Sequence, residues 1–278
     1  MEEKKKRRKK KKEETQLLLF LLLGLAVVVL LFLLICTKLL PHKVNFEMSE
    51  RASKVEASDI RYNDYIFDAV GWIRVQGTNI DYPVVINENN VDYPVQVDKY
   101  AWLSNFEPSF GNHMIVSGHN VFNLGKNIER ENELFTRFEE LMNFAYYDFA
   151  KENQYIQLTF DGQEYIYKIF GVGFIPVAET GQFSLTYGFD ENDAEKFLNN
   201  FEQYNLYDYK IDVNKEDKLI SLVTCTRFFS ENEEHQFRII GRLLREGEKI
   251  DSYSVIKTKK YEEIEKILKG DEEKDEEI

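Results

Sequence analysis

Two cysteines and four histidines are the side chains through which this 278-residue chain could do nucleophilic chemistry. Cys36 lies at the edge of a long apolar run. Cys225 closes a different stretch, Lys218-Leu-Ile-Ser-Leu-Val-Thr224, which is apolar, β-branched and free of Gly and Pro, and so reads as a buried strand. The chain then turns polar through Ser230-Glu-Asn-Glu-Glu-His235, and Gln236 to Leu244 reads as the returning strand. A lone cysteine is often only a small buried apolar residue. Its other use is chemical. A thiolate attacks carbonyl carbon well, provided a neighbour lowers its pKa or accepts its proton.

A histidine can serve as the proton acceptor. His119 follows the short apolar strand His113-Met-Ile-Val-Ser117 and stands between Gly118 and Asn120, a strand-end position of the kind where functional side chains sit. It precedes Cys225 by 106 positions, so only folding could bring the two together. His113 points into the strand, His235 lies in a polar loop and His42 in a stalk; all three read as bland. The cations near Cys225 are Arg227, Arg238 and Arg242. Arg238 opens the returning strand. Arg242 shares its face by alternation but lies four residues deeper, and Arg227 is expected to point away from the thiol.

Leu222-Val-Thr-Cys225 at a strand end, Arg238 on the next strand and Gly118-His119-Asn120 upstream together resemble the active-site signature of sortases, the membrane-anchored cysteine transpeptidases of Gram-positive bacteria. The family pattern is Thr-Leu-x-Thr-Cys, and this chain departs from it with Ser221 in the first place. The resemblance spans roughly residues 62 to 245. It implies Cys225 as nucleophile, His119 as proton acceptor and later donor to the leaving amine, and Arg238 as the cation that stabilises the oxyanion. It further implies a closed β-barrel of about eight strands with N-terminal helices and a helix-bearing insertion before the strand of Cys225. The implied partners are secreted proteins with a C-terminal sorting motif and a peptidoglycan-precursor or pilin amine. No cofactor or metal is expected, because the histidines and cysteines lack ligand spacing.

The elements that must position these residues can be read in order. Residues 46–69 read as one or two helices. Val70 to Val75 and Ile80 to Val85 read as strands around a turn at Gly77-Thr-Asn79. Gly71-Trp-Ile73 followed by Asn79-Ile-Asp-Tyr-Pro-Val-Val85 resembles the opening hairpin of class B sortases. Residues 86–112 are polar with scattered aromatics. Leu134, Phe135, Phe138, Leu141 and Met142 give residues 131–144 a helical period. Gln154 to Phe160 and Glu164 to Phe170 flank an Asp161-Gly162 turn, a hairpin signal, and Phe174 to Val177 continues the sheet. Residues 178–217 form the insertion, with a helix from Asp190 to Phe201 started by acidic capping residues. In class B sortases the corresponding connection walls one side of the substrate groove. The tail after Glu246 carries a helix at Tyr261 to Lys269, and the charged run Asp271 to Glu277 is expected to be disordered.

The N-terminus sets the location. Residues 1–12 hold nine Lys or Arg, followed at once by the uncharged, apolar stretch Leu17 to Cys36. Twenty residues at about 1.5 Å each span the roughly 30 Å hydrocarbon core. No small-residue cleavage site follows, and Ile35 is too bulky for a lipoprotein box before Cys36. The basic flank argues for a cytoplasmic N-terminus and an extracellular remainder. The expected division is therefore a basic cytoplasmic tail 1–16, a single-pass transmembrane helix 17–36 in the lipid bilayer of the cell membrane, a stalk and helix 37–61, a catalytic domain 62–246, and a C-terminal helix with acidic tail 247–278. The chain carries 36 basic and 49 acidic residues, net −13. Residues 1–14 take nine bases and four acids, leaving 27 against 45, net −18. Such an acidic ectodomain argues against a nucleic-acid partner.

Two other readings fit parts of the pattern. A papain-like hydrolase also pairs Cys with His, but places its Cys at a helix start and before the His. A non-catalytic membrane-anchored β domain would hold Cys225 as inert core. The fold expected here is mostly β with added helices, an α+β chain.

Overall fold

The computed structural model describes residues 1, 23–25, 27–29, 60–62, 65–67, 69–85, 101–103, 111–118, 120, 138–160, 162–185, 188–230 and 233–275. The chain divides into two units, Met1–Lys43 and Val44–Ile278. In the first, residues 23–25 and 27–29 are helical and exposed. Among the described residues no helix is long and apolar enough to cross a membrane; most of the expected span 17–36 lies outside them.

The second unit is mostly β. Strands β1 (Ile60–Tyr62) and β2 (Tyr65–Phe67) form a small antiparallel ladder of their own. This corrects the helix expected over residues 46–69, of which 46–59 lie outside the described residues. Ile60, Tyr62, Tyr65 and Ile66 are β-branched or aromatic, and in so short a run their spacing fits either period. The main sheet uses β3 (Ala69–Val75), β4 (Asp81–Val85), β5 (Ala101–Leu103), β6 (His113–Ser117), β7 (Tyr155–Phe160) and β8 (Gln163–Pro176). After the two-residue strand β9 (Tyr207–Asp208) come the two strands that carry the expected site, β10 (Leu219–Ser230) and β11 (Glu233–Leu243); β12 (Ile256–Lys257) pairs with β9. The hydrogen-bonded order is β10-β11-β8-β7-β3-β4-β5-β6, and β6 pairs again with β10. The pairings β4–β5 and β6–β10 are parallel, and the others in this circuit are antiparallel.

Alternation sorts the side chains of this sheet. Ile73, Leu158, Ile169, Ile220, Leu222, Phe237 and Ile239 point into one buried cluster inside it. The 3₁₀ segment Phe138–Ala145 and helices α1 (Tyr147–Glu152) and α3 (Lys259–Asp275) contribute to the same cluster, whereas helix α2 (Glu191–Glu202) and the 3₁₀ segment Val177–Phe183 belong to a second one. The described part of the helix expected over 131–144 is thus a 3₁₀ segment, buried throughout; residues 131–137 lie outside the described set. The C-terminal helix runs to Asp275, so the charged run from Asp271 is helical there rather than disordered.

The insertion is fastened by its own aromatic residues. Asp190 caps α2: its carboxylate accepts from the backbone N–H of Asn192 (2.8 Å) and Asp193 (3.0 Å), while Asp193 accepts from the N–H of Asp190. Ala194, Phe197 and Phe201, three and four residues apart, bury one face of α2 with Phe183, Leu219 and Ile240. At roughly 1.5–3 kcal/mol per fully buried large side chain, three phenylalanines are ample to hold this segment against the outer face of β10 and β11.

Candidate active site

On β10 the exposure alternates. Thr224 and Thr226 are buried, Cys225 and Arg227 are exposed, and Phe228 is buried again. Cys225 is a thiol that faces outward from a strand whose other side is core. It does not end its strand, as the sequence suggested. β10 continues to Ser230, and the pairing with β11 changes register only after Thr226. The extension is held by Phe228, which stacks on Phe174 with centroids 4.9 Å apart. Polarity marked the turn too early because Phe228 supplies the apolar anchor three residues past the thiol.

Strand β6 lies beside β10 in parallel, in a constant register: His113 opposite Leu219, and Ser117 opposite Val223. The offset is 106, the same number that separates His119 from Cys225 in sequence. The contact continues past the ladder. The N–H of Gly118 donates to the carbonyl of Val223 (3.1 Å), and Thr224 Oγ1 donates to the carbonyl of Gly118 (2.8 Å). The residue preceding His119 is therefore bonded to the two residues preceding Cys225. His119 itself lies outside the described residues. Gly118 is required by close packing: a Cβ there would come within 2.3 Å of the Phe138 ring.

Arg238 sits opposite Val223, and Gln236 opposite Cys225. Arg238 and Cys225 are thus diagonal neighbours on one face, with Cα atoms roughly 7–8 Å apart. Arg238 is only 1% exposed. Its Nη1 donates to the carbonyl of Phe183 (2.7 Å) and, at 3.5 Å, to Ser221 Oγ; Nη2 donates to Gln236 Oε1 (3.2 Å). The guanidinium also lies over the Phe183 ring. All these acceptors are neutral. Burial pushes its pKa down to about 9, so at neutral pH it is still a cation, and one not neutralised by a carboxylate among the described residues.

The other two arginines differ. Arg242 is equally buried but forms a two-pronged pair with Glu248, Nη1–Oε2 2.7 Å and Nη2–Oε1 2.8 Å, and this holds the Glu248 carboxyl down at about 2. Its charge is already matched. Arg227 shares the outward side with Cys225, so it does not point away as expected, and it lies beyond the last regular pair, Thr226–His235.

One residue read as bland has a larger part. His113 is fully buried. Its Nδ1 is 2.8 Å from the carbonyl of Leu185 and its Nε2 is 2.9 Å from Ser221 Oγ. A carbonyl can only accept, so Nδ1 carries the proton and Nε2 accepts from the Ser221 hydroxyl. The lone pairs of Ser221 are then left toward Arg238. Burial, helped by the nearby Arg238 charge, holds His113 down at about 3 and keeps the ring neutral. Donors thus run in one direction, from Arg238 through Ser221 and His113 to Leu185. The signal in the sequence was the even spacing of Ser221 and Cys225 on one strand face; the parallel partner β6 could not be inferred from local pattern.

Chemically, an outward thiol beside a buried cation that no carboxylate neutralises among the described residues suits attack on a carbonyl carbon whose oxygen becomes negative. The groove lined by Phe170, Leu198, Tyr207, Asp208 and Val213 contains none of these residues and plays no part in that arrangement. Among the described residues, no group of three or more His, Cys, Asp or Glu side chains could hold a metal ion.

The family model described as "Sortase domain" matches residues 73–243, more than half of the chain. No curated protein matches it. Among solved structures, Clostridium perfringens sortase B is similar at 24% identity and TM-score 0.53, covering 64% of this chain and 94% of that one. A Staphylococcus aureus sortase B–substrate complex is similar at 18% identity and TM-score 0.51, covering 64% and 81%. A sortase B complexed with triglycine is similar at 18% identity and TM-score 0.50, with the same coverage. At these identities the likeness is one of fold.

Proposed function

The chain belongs to the sortase family, and on that premise we propose that it is a class B-like cysteine transpeptidase with Cys225 as nucleophile. In this reading His119 takes the thiol proton and the thiolate attacks the carbonyl carbon of a scissile peptide bond in a sorting signal. A C–S bond forms and the carbonyl π pair moves to oxygen, where the positive charge of Arg238 favours it. The intermediate collapses, the C–N bond breaks, and His119 gives its proton to the leaving amine. A thioester remains on Cys225 until a cell-wall or pilin amine attacks it.

The observation that carries this reading is the double hydrogen bond of Gly118 to Val223 and Thr224. It ties the chain just before His119 to the chain just before Cys225. The solved sortase B structures with substrate and with triglycine make a sorting peptide and an amine acceptor the natural partners to test. The segment 17–36 serves as the membrane anchor, with the basic tail in the cytoplasm and the catalytic unit outside. A papain-like order is disfavoured because Cys225 lies on a strand and follows His119.

The test is cleavage of a panel of C-terminal sorting peptides by the wild-type chain and by Cys225→Ala. The wild type should cleave at least one, and the variant none. Equal turnover by both would refute the assignment.

A further inference from the structure

We propose that Gln236 is a catalytic hydrogen-bond donor to the oxyanion formed at Cys225, oriented for that task by Arg238; this rests on the transpeptidase reading above. Arg238 is enclosed, whereas Cys225 is exposed. Gln236 stands between them: it is half-buried, directly opposite Cys225 in the β10–β11 ladder, and two residues from Arg238 on the same face. Side chains directly opposite in an antiparallel pair have Cβ atoms about 4.5–5.5 Å apart, within reach of one bound carbonyl group.

The orientation of the amide follows from donor counting. A guanidinium has only donors, so the group it meets at 3.2 Å must be the amide oxygen, Oε1. The Nε2 amino group, at the other end of the same planar amide, is turned away from Arg238. Donation from Arg238 also polarises the amide and makes its N–H groups better donors. Gln236 can therefore carry the field of the enclosed cation to the exposed thiol. The Phe183 carbonyl and Ser221 hydroxyl that hold Nη1 fix the cation from behind, so the amide is set before substrate arrives.

The experiment compares two reactions of the same thiol in the detergent-solubilised full chain. p-Nitrophenyl acetate acetylates Cys225 through an oxyanion: the S–C bond forms, the ester C–O bond breaks, and p-nitrophenolate leaves. Iodoacetamide alkylates the same thiolate by displacing iodide, with no oxyanion. The ratio of the two rates isolates oxyanion stabilisation from thiolate availability and from folding. Gln236→Met keeps the length and removes the donor, and should lower the ratio about a hundredfold. Gln236→Glu keeps an acceptor oxygen for Arg238 but has no N–H, and should lower it at least as far. A fall smaller than about fivefold in both variants, no change, or a rise overturns the proposal; a rise would mean that Gln236 only screens Arg238. If the wild type releases no more p-nitrophenolate than Cys225→Ala, the transpeptidase reading itself fails.

Discussion

Acid should weaken this protein through one buried imidazole. Burial holds His113 at about 3 in the folded chain, against an ordinary value of about 6.5 when exposed. Above pH 6.5 both folded and unfolded chains hold a neutral ring, and His113 adds no pH dependence. Below it the unfolded chain takes up a proton that the folded chain refuses, so stability falls as pH falls, by about 1.4 kcal/mol per pH unit, until the folded ring titrates near pH 3. From pH 7 to pH 5 the loss comes to about 2 kcal/mol, and over the whole window to about 5 kcal/mol. Glu248, held at about 2 rather than 4.5, contributes only below pH 4.5, outside this interval. The assay is urea unfolding at pH 7 and pH 5 of the wild type and of His113→Asn, which cannot titrate there. The wild type should lose about 2 kcal/mol more than the variant across this interval. Equal losses would refute the buried, neutral His113 and with it the one-way donor chain to Arg238.

Glu248→Gln leaves buried Arg242 without its carboxylate and should cost about 3 kcal/mol at pH 7 by denaturant titration, toward the low end for breaking a buried pair because Glu248 is partly exposed. The wild type's own share of that stability is present above pH 4.5 and is lost as pH falls toward about 2, since this carboxyl is depressed in the fold. Gly118→Ala drives a Cβ into the Phe138 ring; it should destabilise by about 1–3 kcal/mol and also lower peptide cleavage, because His119 follows directly. Stability lost without any loss of cleavage would separate Gly118 from the site. Asp190→Ala removes the cap of α2 and should lower the thermal midpoint.

Strong local patterns were legible. The apolar, β-branched run Leu219 to Thr224, the hairpin turn ending in Gly162, with φ at +69°, and the acidic start of α2 each follow from neighbours in sequence, and each element lies where it was expected. Boundaries that depend on tertiary contact were not legible. β10 outlasts its polar turn because Phe228 finds Phe174 across the sheet. Residues 60–62 and 65–67 pair as strands although their apolar spacing also suits a helix. His113 looked inert because nothing local announces that β6 lies parallel to β10, 106 residues away, with Ser221 at the junction. The resemblance to sortases pointed to Cys225 and Arg238, but not to Gln236, which stands opposite Cys225 and two residues from Arg238.

The most direct test follows the thiol through a complete turnover. The chain is mixed with a cleavable sorting peptide, its intact mass is recorded, and triglycine is then added. A thioester on Cys225 predicts a mass increase equal to the amino-terminal peptide fragment, absent from Cys225→Ala, which disappears on adding triglycine as a peptide–triglycine product forms. Cleavage with no adduct on Cys225, or with only hydrolysed peptide whatever the triglycine concentration, would contradict it.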